Sequence, residues 1–244
     1  MRYGLLLYLM ILALPGRGQE KDLFYLMDKD WKPTKIDSAV FFYRIRKIND
    51  TSWQCDSYNL FGPLIRSERY RDKDATMQEG TSYYYREDGR LDSTMQFLNN
   101  KRNGESVKYS ADSMHALYKY IYKDDSLISF VDLRSRKAES GKTDSVEQES
   151  EFPGGVAKWI RYLNKHLKYP ERAVKSNKEG EVRVLFVVDK QGAVSSPVIG
   201  KSVEWSLDDE AIRVIMESGN WNPAFQNGKI VKSYKIQPIV YRLQ

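Results

Sequence analysis

Short aromatic runs alternate with polar turns through the first half of the chain, a pattern that predicts a series of β-hairpins. Val40-Phe41-Phe42-Tyr43-Arg44-Ile45 reads as a strand of β-branched and aromatic residues, with Asn49-Asp50 as a turn and Trp53 and Tyr58 packing nearby. From residue 61 to 130 the alternation becomes regular. Tyr83-Tyr84-Tyr85 is followed by Glu87-Asp88-Gly89, Met95-Gln96-Phe97-Leu98 by Asn99-Asn100-Lys101, and Val107-Lys108-Tyr109 by Asp112-Ser113. Tyr118-Lys119-Tyr120-Ile121-Tyr122 is followed in turn by Asp124-Asp125. Asp-Gly, Asn-Asn and Asp-Asp pairs tolerate the positive φ of tight hairpin turns. A repeat of 24 residues relates Gly80 to Gly104, Tyr85 to Tyr109 and Asp88 to Asp112. Such a period implies stacked units that bury one another's aromatic faces.

The last third changes period. Val156, Ile160, Leu163 and Leu167 recur at helical spacing and predict a helix over 155–167 with these four on its inner face, stopped by Tyr169-Pro170. Val182, Val184, Phe186 and Val188 alternate on a strand, and Leu185 and Val187 make its other face apolar too. Asp189-Lys190-Gln191-Gly192 is a turn into a returning strand, Ala193 to Ile199. A second helix is expected after Ser206, capped by Ser206 with Asp209 and facing inward through Leu207, Ala211, Val214 and Ile215. Gly219 suits its C-terminal end, and one long final strand is expected from Lys229 to Leu243. The fold class expected is α+β: a two-helix module with an antiparallel sheet, preceded by a mostly β hairpin-repeat domain.

Two segments read as processing or connection. Arg2, the apolar run Leu5 to Leu14 and the small residues of Pro15-Gly16-Arg17-Gly18 form a signal-peptide pattern, with cleavage before Gln19. Retained instead as an anchor, Tyr3 to Gly16 would span about 21 Å as a helix, short of a ~30 Å hydrocarbon core. Residues 132–151 are nearly devoid of large apolar side chains and end in Glu147-Gln148-Glu149-Ser150-Glu151, which predicts a flexible linker. The domains expected are therefore 1–18, 19–131, 132–151 and 152–244.

Two resemblances add to this reading. The Gly-x-x-x-x-Tyr and Tyr-x-x-Asp-Gly steps resemble MORN-like repeats of bacterial exported proteins over about 65 residues. The last module resembles the TonB C-terminal domain. The residues that carry this are Phe152-Pro153-Gly154-Gly155, Tyr169-Pro170 with Ala173, Gly180-Glu181-Val182-Arg183-Val184 with Phe186-Val187-Val188-Asp189, and Gly192-Ala193-Val194. Leu207-Asp208-Asp209-Glu210-Ala211, Trp221-Asn222-Pro223-Ala224 and Gln237-Pro238-Ile239 complete the series in order. Most of these positions determine fold: prolines end elements, glycines allow turns, and Trp221 and Pro223 close the core. The resemblance implies that the final strand receives an extended peptide, the N-terminal box of an outer-membrane TonB-dependent transporter, by strand addition. The partner-binding residues it implies are Tyr169, Pro170, Lys229, Val231, Lys232, Tyr234, Lys235, Ile236, Pro238 and Val240. Pro238 fits an edge strand, because a central strand would lose a ladder donor there. Lys229, Lys232 and Lys235 either protect that edge from aggregation or attract an acidic partner.

The chain departs from an energy-coupling TonB in two respects: its N-terminal apolar run is short and reads as cleavable where a membrane helix would stand, and it lacks the spacer. No proline falls between Leu64 and Phe152, so a hairpin-repeat domain stands where a long Pro-rich spacer would cross the periplasm. Engagement of a proton-driven motor complex is expected only if residues 3–16 remain as an anchor.

Charge and composition narrow the function further. The formal charge is +6, from 39 Lys and Arg against 33 Asp and Glu. From Gln19 to Glu151 there are 22 basic and 24 acidic residues; from Phe152 to Gln244 there are 15 and 9. The basic excess thus lies in the last module, which points away from nucleic acid as the partner of the tyrosine-rich half. Cys55 has no second cysteine to pair with, and it, His115 and His166 show no spacing of a catalytic group or metal site. No phosphate loop or dinucleotide fingerprint occurs, so no cofactor is expected. The sequence points to a non-enzymatic protein of the periplasm and cell envelope that docks transporter peptides. The alternative is a non-energising envelope adaptor or scaffold using the same fold, and a strand-exchanged homodimer is open to either.

Overall fold

The structure, a computed structural model, describes residues 22–112, 115–134 and 148–243. The expected signal peptide and most of the expected linker lie outside these. Among the described residues no helix is long and apolar enough to cross a membrane. The chain divides into two units, one within residues 22–132 and the other built on 148–243.

The first unit is an antiparallel sheet of nine strands in which each strand lies beside its sequence neighbours. They are β1 (Leu23–Met27), β2 (Phe41–Asn49), β3 (Ser52–Asn59), β4 (Leu64–Tyr70), β5 (Gly80–Tyr85), β6 (Leu91–Leu98), β7 (Lys101–Tyr109), β8 (Ala116–Lys123) and β9 (Ser126–Asp132). The 24-residue period is visible in the backbone. Gly80, the first residue of β5, and Gly104, inside β7, have nearly the same φ, +107° and +106°, a region closed to most side chains. The turn pairs Asn99-Asn100 and Asp124-Asp125 all have positive φ, as two-residue hairpin turns require. Each turn also ties back to the preceding one. The Asn100 side chain accepts from the Gln78 N–H at 2.6 Å, and Asp125 accepts from the Arg102 N–H at 3.0 Å.

Burial is concentrated at the start of this sheet. On one face Tyr25, Ile45 and Cys55 form a core with Leu23, Tyr43, Trp53 and Tyr70 against them. On the other, Phe42 stacks on Phe24 with centroids 5.4 Å apart and lies 6.2 Å from Tyr58. Arg44 is buried there and donates to Asp22 at 2.7 Å, so its charge is paired. Tyrosine suits such a sheet because its ring covers apolar neighbours while its hydroxyl stays wet.

The second unit contains α1 (Gly155–His166), α2 (Glu171–Lys175), β10 (Gly180–Val188), β11 (Val194–Lys201), α3 (Trp205–Met216), β12 (Ala224–Gln226), β13 (Lys229–Val231) and β14 (Ser233–Tyr241). β10 is the centre of a three-stranded antiparallel sheet ordered β11-β10-β14, and β12 and β13 form a separate hairpin. Val182, Val184, Phe186 and Val188 are buried on the β10 face that meets α3, whose Leu207, Ala211, Val214 and Ile215 are buried in turn. Trp221 closes this core, edge-on to Phe186 at 5.1 Å. Gly192 is required beside it: its φ is +85°, and a Cβ there would lie 2.1 Å from the Trp221 carbonyl oxygen.

Three expectations are corrected. The inner face of α1 is not the aliphatic stripe: Val156 is 74% exposed and Ile160 is exposed too, while Trp159 is 5% exposed. Trp159 packs among Phe152, Tyr162 and Trp221 at 5.2–5.5 Å, and the Tyr162 hydroxyl donates to the Val214 carbonyl. The larger area of the aromatic rings sets the rotation of the helix. The cap of α3 is Glu204, whose carboxylate accepts from the Ser206 N–H, not Ser206 with Asp209. The final strand is also not continuous. The turn Asn227-Gly228, with φ of +50° and +73°, folds β12 onto β13, and β14 begins only after Lys232.

Candidate peptide-docking edge

β14 pairs with β10 through nine consecutive residues without a register shift, from Ser233 opposite Val188 to Tyr241 opposite Gly180. The β10–β11 ladder has two irregularities by comparison. β14 is thus a straight strand held along one side, and its other side lies at the end of the sheet. Its nine residues span about 27 Å from first to last Cα.

Alternation assigns its side chains. Ile239 and Tyr241 are buried on the α3 side, and the Tyr241 hydroxyl donates to the Leu207 carbonyl at 3.2 Å. Burial pushes that hydroxyl well above the usual tyrosine range. Tyr234, Ile236, Pro238 and Val240 point to the opposite face, where Tyr234, Pro238 and Val240 are exposed and Ile236 is half-buried. Pro238, opposite Arg183, has no N–H to give to either side. A proline is compatible with this ladder when the donor it lacks is one directed away from β10.

The residues named from the sequence fall into two groups. Lys229 and Val231 lie on β13, Lys232 lies at the junction, and Tyr234, Lys235, Ile236, Pro238 and Val240 follow along β14. Lys232 places its ammonium over the Tyr234 ring at 5.6 Å, and Lys235 pairs with Glu149 at 3.1 Å. Tyr169 and Pro170 belong to the far end of the strand. The Tyr169 ring meets Tyr241 edge-on at 5.6 Å, and its hydroxyl donates to the Lys178 carbonyl at 2.6 Å. Pro170 is the extended residue before α2. The structure therefore brings the β14 residues together with the lysines and holds Tyr169 as a buttress of the last strand residue.

Two contributors were not evident in the sequence. Gln148 and Glu151 form backbone bridges with Phe225 and Asn222, so the end of the acidic run is drawn into this unit and supplies Glu149. Buried Glu204 accepts from Arg172 at 2.6 Å, which ties α2 to the start of α3. Only the Asn227-Gly228 turn beside the site had a local signal, an Asn-Gly pair between apolar runs.

The other candidates for chemistry are spoken for. Cys55 is fully buried, and burial pushes its thiol up to about 12, so it is not a thiolate at neutral pH. His166 stacks on Tyr162 at 4.5 Å. Among the described residues no group of three or more His, Cys, Asp or Glu is placed to hold a metal ion.

Comparison with known proteins bears on the second unit. No curated protein matches the chain. A solution structure of Helicobacter pylori TonB-CTD, residues 179–285, is 25% identical over 38% of this chain and 89% of that one, with a TM-score of 0.29. Residues 165–243 match the family described as Gram-negative bacterial TonB protein C-terminal, which holds β10, β11, α3 and β14 entire. On that match residues 165–243, within the second unit, are similar to the TonB C-terminal family.

Proposed function

We propose that the protein acts in the cell envelope by docking an extended peptide along the free side of β14, the peptide being the N-terminal box of an outer-membrane TonB-dependent transporter. The observation that carries this reading is the strand itself. It keeps one register over nine residues, is paired among the described residues on one side only, and is long enough for a peptide of six to nine residues to add as a fourth strand. In such an addition main-chain hydrogen bonds supply affinity, and Tyr234, Ile236 and Val240 offer alternating side-chain contacts. Lys229 and Lys232, both exposed, add attraction for an acidic peptide. Energisation of transport through this contact requires a membrane anchor and a motor, so docking is the part of the function that the second unit can perform.

The test is titration of the full chain into fluorescently labelled peptides taken from transporter N-termini. Saturable binding that weakens with salt is expected, since exposed charge attraction is screened beyond about 10 Å at 0.1 M. Binding of none of these peptides would sink the transporter reading. Saturable binding to another envelope protein would then favour the adaptor.

A further inference from the structure

The nine-stranded sheet has two end strands, β1 and β9, and they are finished differently. β1 is shielded: the chain turns back over its end, where Met27 bridges to Pro33 and the Thr34 N–H donates to the Leu26 carbonyl. Its apolar side chains are buried or half-buried. Among the described residues nothing shields β9 in that way. Ser126-Leu127-Ile128-Ser129-Phe130-Val131 contains no charge, proline or glycine. Leu127, Ile128 and Phe130 are 54%, 62% and 50% exposed. Natural edges are usually blunted by lysine, proline or a covering segment. A bulge at Ile128 interrupts the ladder to β8, and from Ser129 to Asp132 the pairing is regular again.

We infer that β9 is a self-association edge: two copies of the chain pair antiparallel, β9 to β9, and join their sheets into one. Charge selects this occupant. A segment with no charge offers nothing to an acidic or basic partner, and its complement is another neutral, apolar strand, which every copy of the chain supplies. β14 shows the contrast, since Lys229, Lys232 and Lys235 gather at and just before its start. Pairing about Ser129 sets Leu127, Ile128, Phe130 and Val131 of one copy against the same four of the other. It also turns Asp132 of each copy toward the sheet end that carries Lys123 of the other, since Ser126 is the β8 partner of Lys123. Phe130 already lies 5.2 Å from Tyr120 and 5.9 Å from Tyr118, so pairing would extend this aromatic cluster across the two-fold axis. A contact made by one strand edge is small, so the dimer should be weak and concentration-dependent.

Sedimentation of the full chain over a concentration series tests this. The chain should pass from monomer to dimer. Ile128→Lys with Phe130→Lys should hold it monomeric at every concentration, with transporter-peptide binding unchanged. Because both side chains are exposed, the double variant should keep its circular dichroism spectrum. A second variant does not depend on that: Ser129→Cys should form a covalent dimer under mild oxidation, and Tyr234→Cys on β14 should not. A wild-type chain that stays monomeric, a lysine variant that still dimerises, or a covalent dimer through Tyr234→Cys alone would overturn the inference.

Discussion

At the scale of single residues, Pro238 separates two roles that backbone N–H groups play in β14. Alternate residues of a strand direct their N–H groups to the same side. If the donor absent at Pro238 is an outward one, then the N–H groups of Tyr234, Ile236 and Val240 also point outward, and that of Gln237 points to β10. Ile236→Pro should therefore weaken peptide binding several-fold with little change in melting temperature. Gln237→Pro should remove a ladder hydrogen bond and lower the melting temperature of the unit clearly. Thermal melts beside binding isotherms check the pair, and equal destabilisation by both would contradict the assignment. Asp208 gives a second test. It is completely buried and accepts from the Ser202 hydroxyl and the Val203 N–H. Burial, with Asp209 and Glu204 adding, holds its carboxyl well above the usual range. A carboxyl with a raised folded pKa contributes its stability at low pH. As pH rises past the unfolded value near 3.8, the unfolded chain loses the proton first, and stability falls until the folded group titrates. Asp208→Asn keeps the acceptor oxygen and removes the titration. Its melting temperature should match the wild type near pH 4 and exceed it increasingly toward pH 7. A difference that shrinks or turns negative on that path would contradict this.

At the scale of elements, α1 tests which interactions orient a helix. Trp159→Ala should cost about 3–5 kcal/mol, the usual range for emptying a large aromatic site. Ile160→Ser should change stability by no more than ~0.5 kcal/mol, because the side chain is exposed. Denaturant midpoints decide between this rotation and the aliphatic face that periodicity suggests. The comparison also shows what a sequence carries. Strand β10 and helix α3 were legible because the apolar residues that recur at one period in each, Val182, Val184, Phe186 and Val188, and Leu207, Ala211, Val214 and Ile215, are buried. α1 misled because two apolar sets share it, and the choice depends on Phe152 and Trp221, which lie outside the helix. The break at Lys232 was legible in principle from Asn227-Gly228. The Glu204 cap and its bond to Arg172 were not, since a carboxylate that meets its partner 32 residues away leaves no local pattern.

At the scale of the whole molecule, the end strands β9 and β14 differ in charge, and that difference suits them to different partners. The candidate site was legible as far as its strand and lysines. Its one-sided pairing, its proline geometry and the contribution of Glu149 needed the fold, because they depend on which strands become neighbours. The last 93 residues carry 15 basic and 9 acidic side chains, and exposed Lys232 lies just before one end of β14, with the Tyr169–Tyr241 contact at the other. That arrangement is the central claim: a docking strand with a charged entry and a packed exit. Amide hydrogen exchange of the full chain, with and without a saturating transporter N-terminal peptide, measures it most directly. New protection is expected at alternate amides, Tyr234, Ile236 and Val240, with Gln237 and Ile239 already protected in the free protein. Protection that appears instead on β11 or the α1 surface, with β14 unchanged, would contradict it.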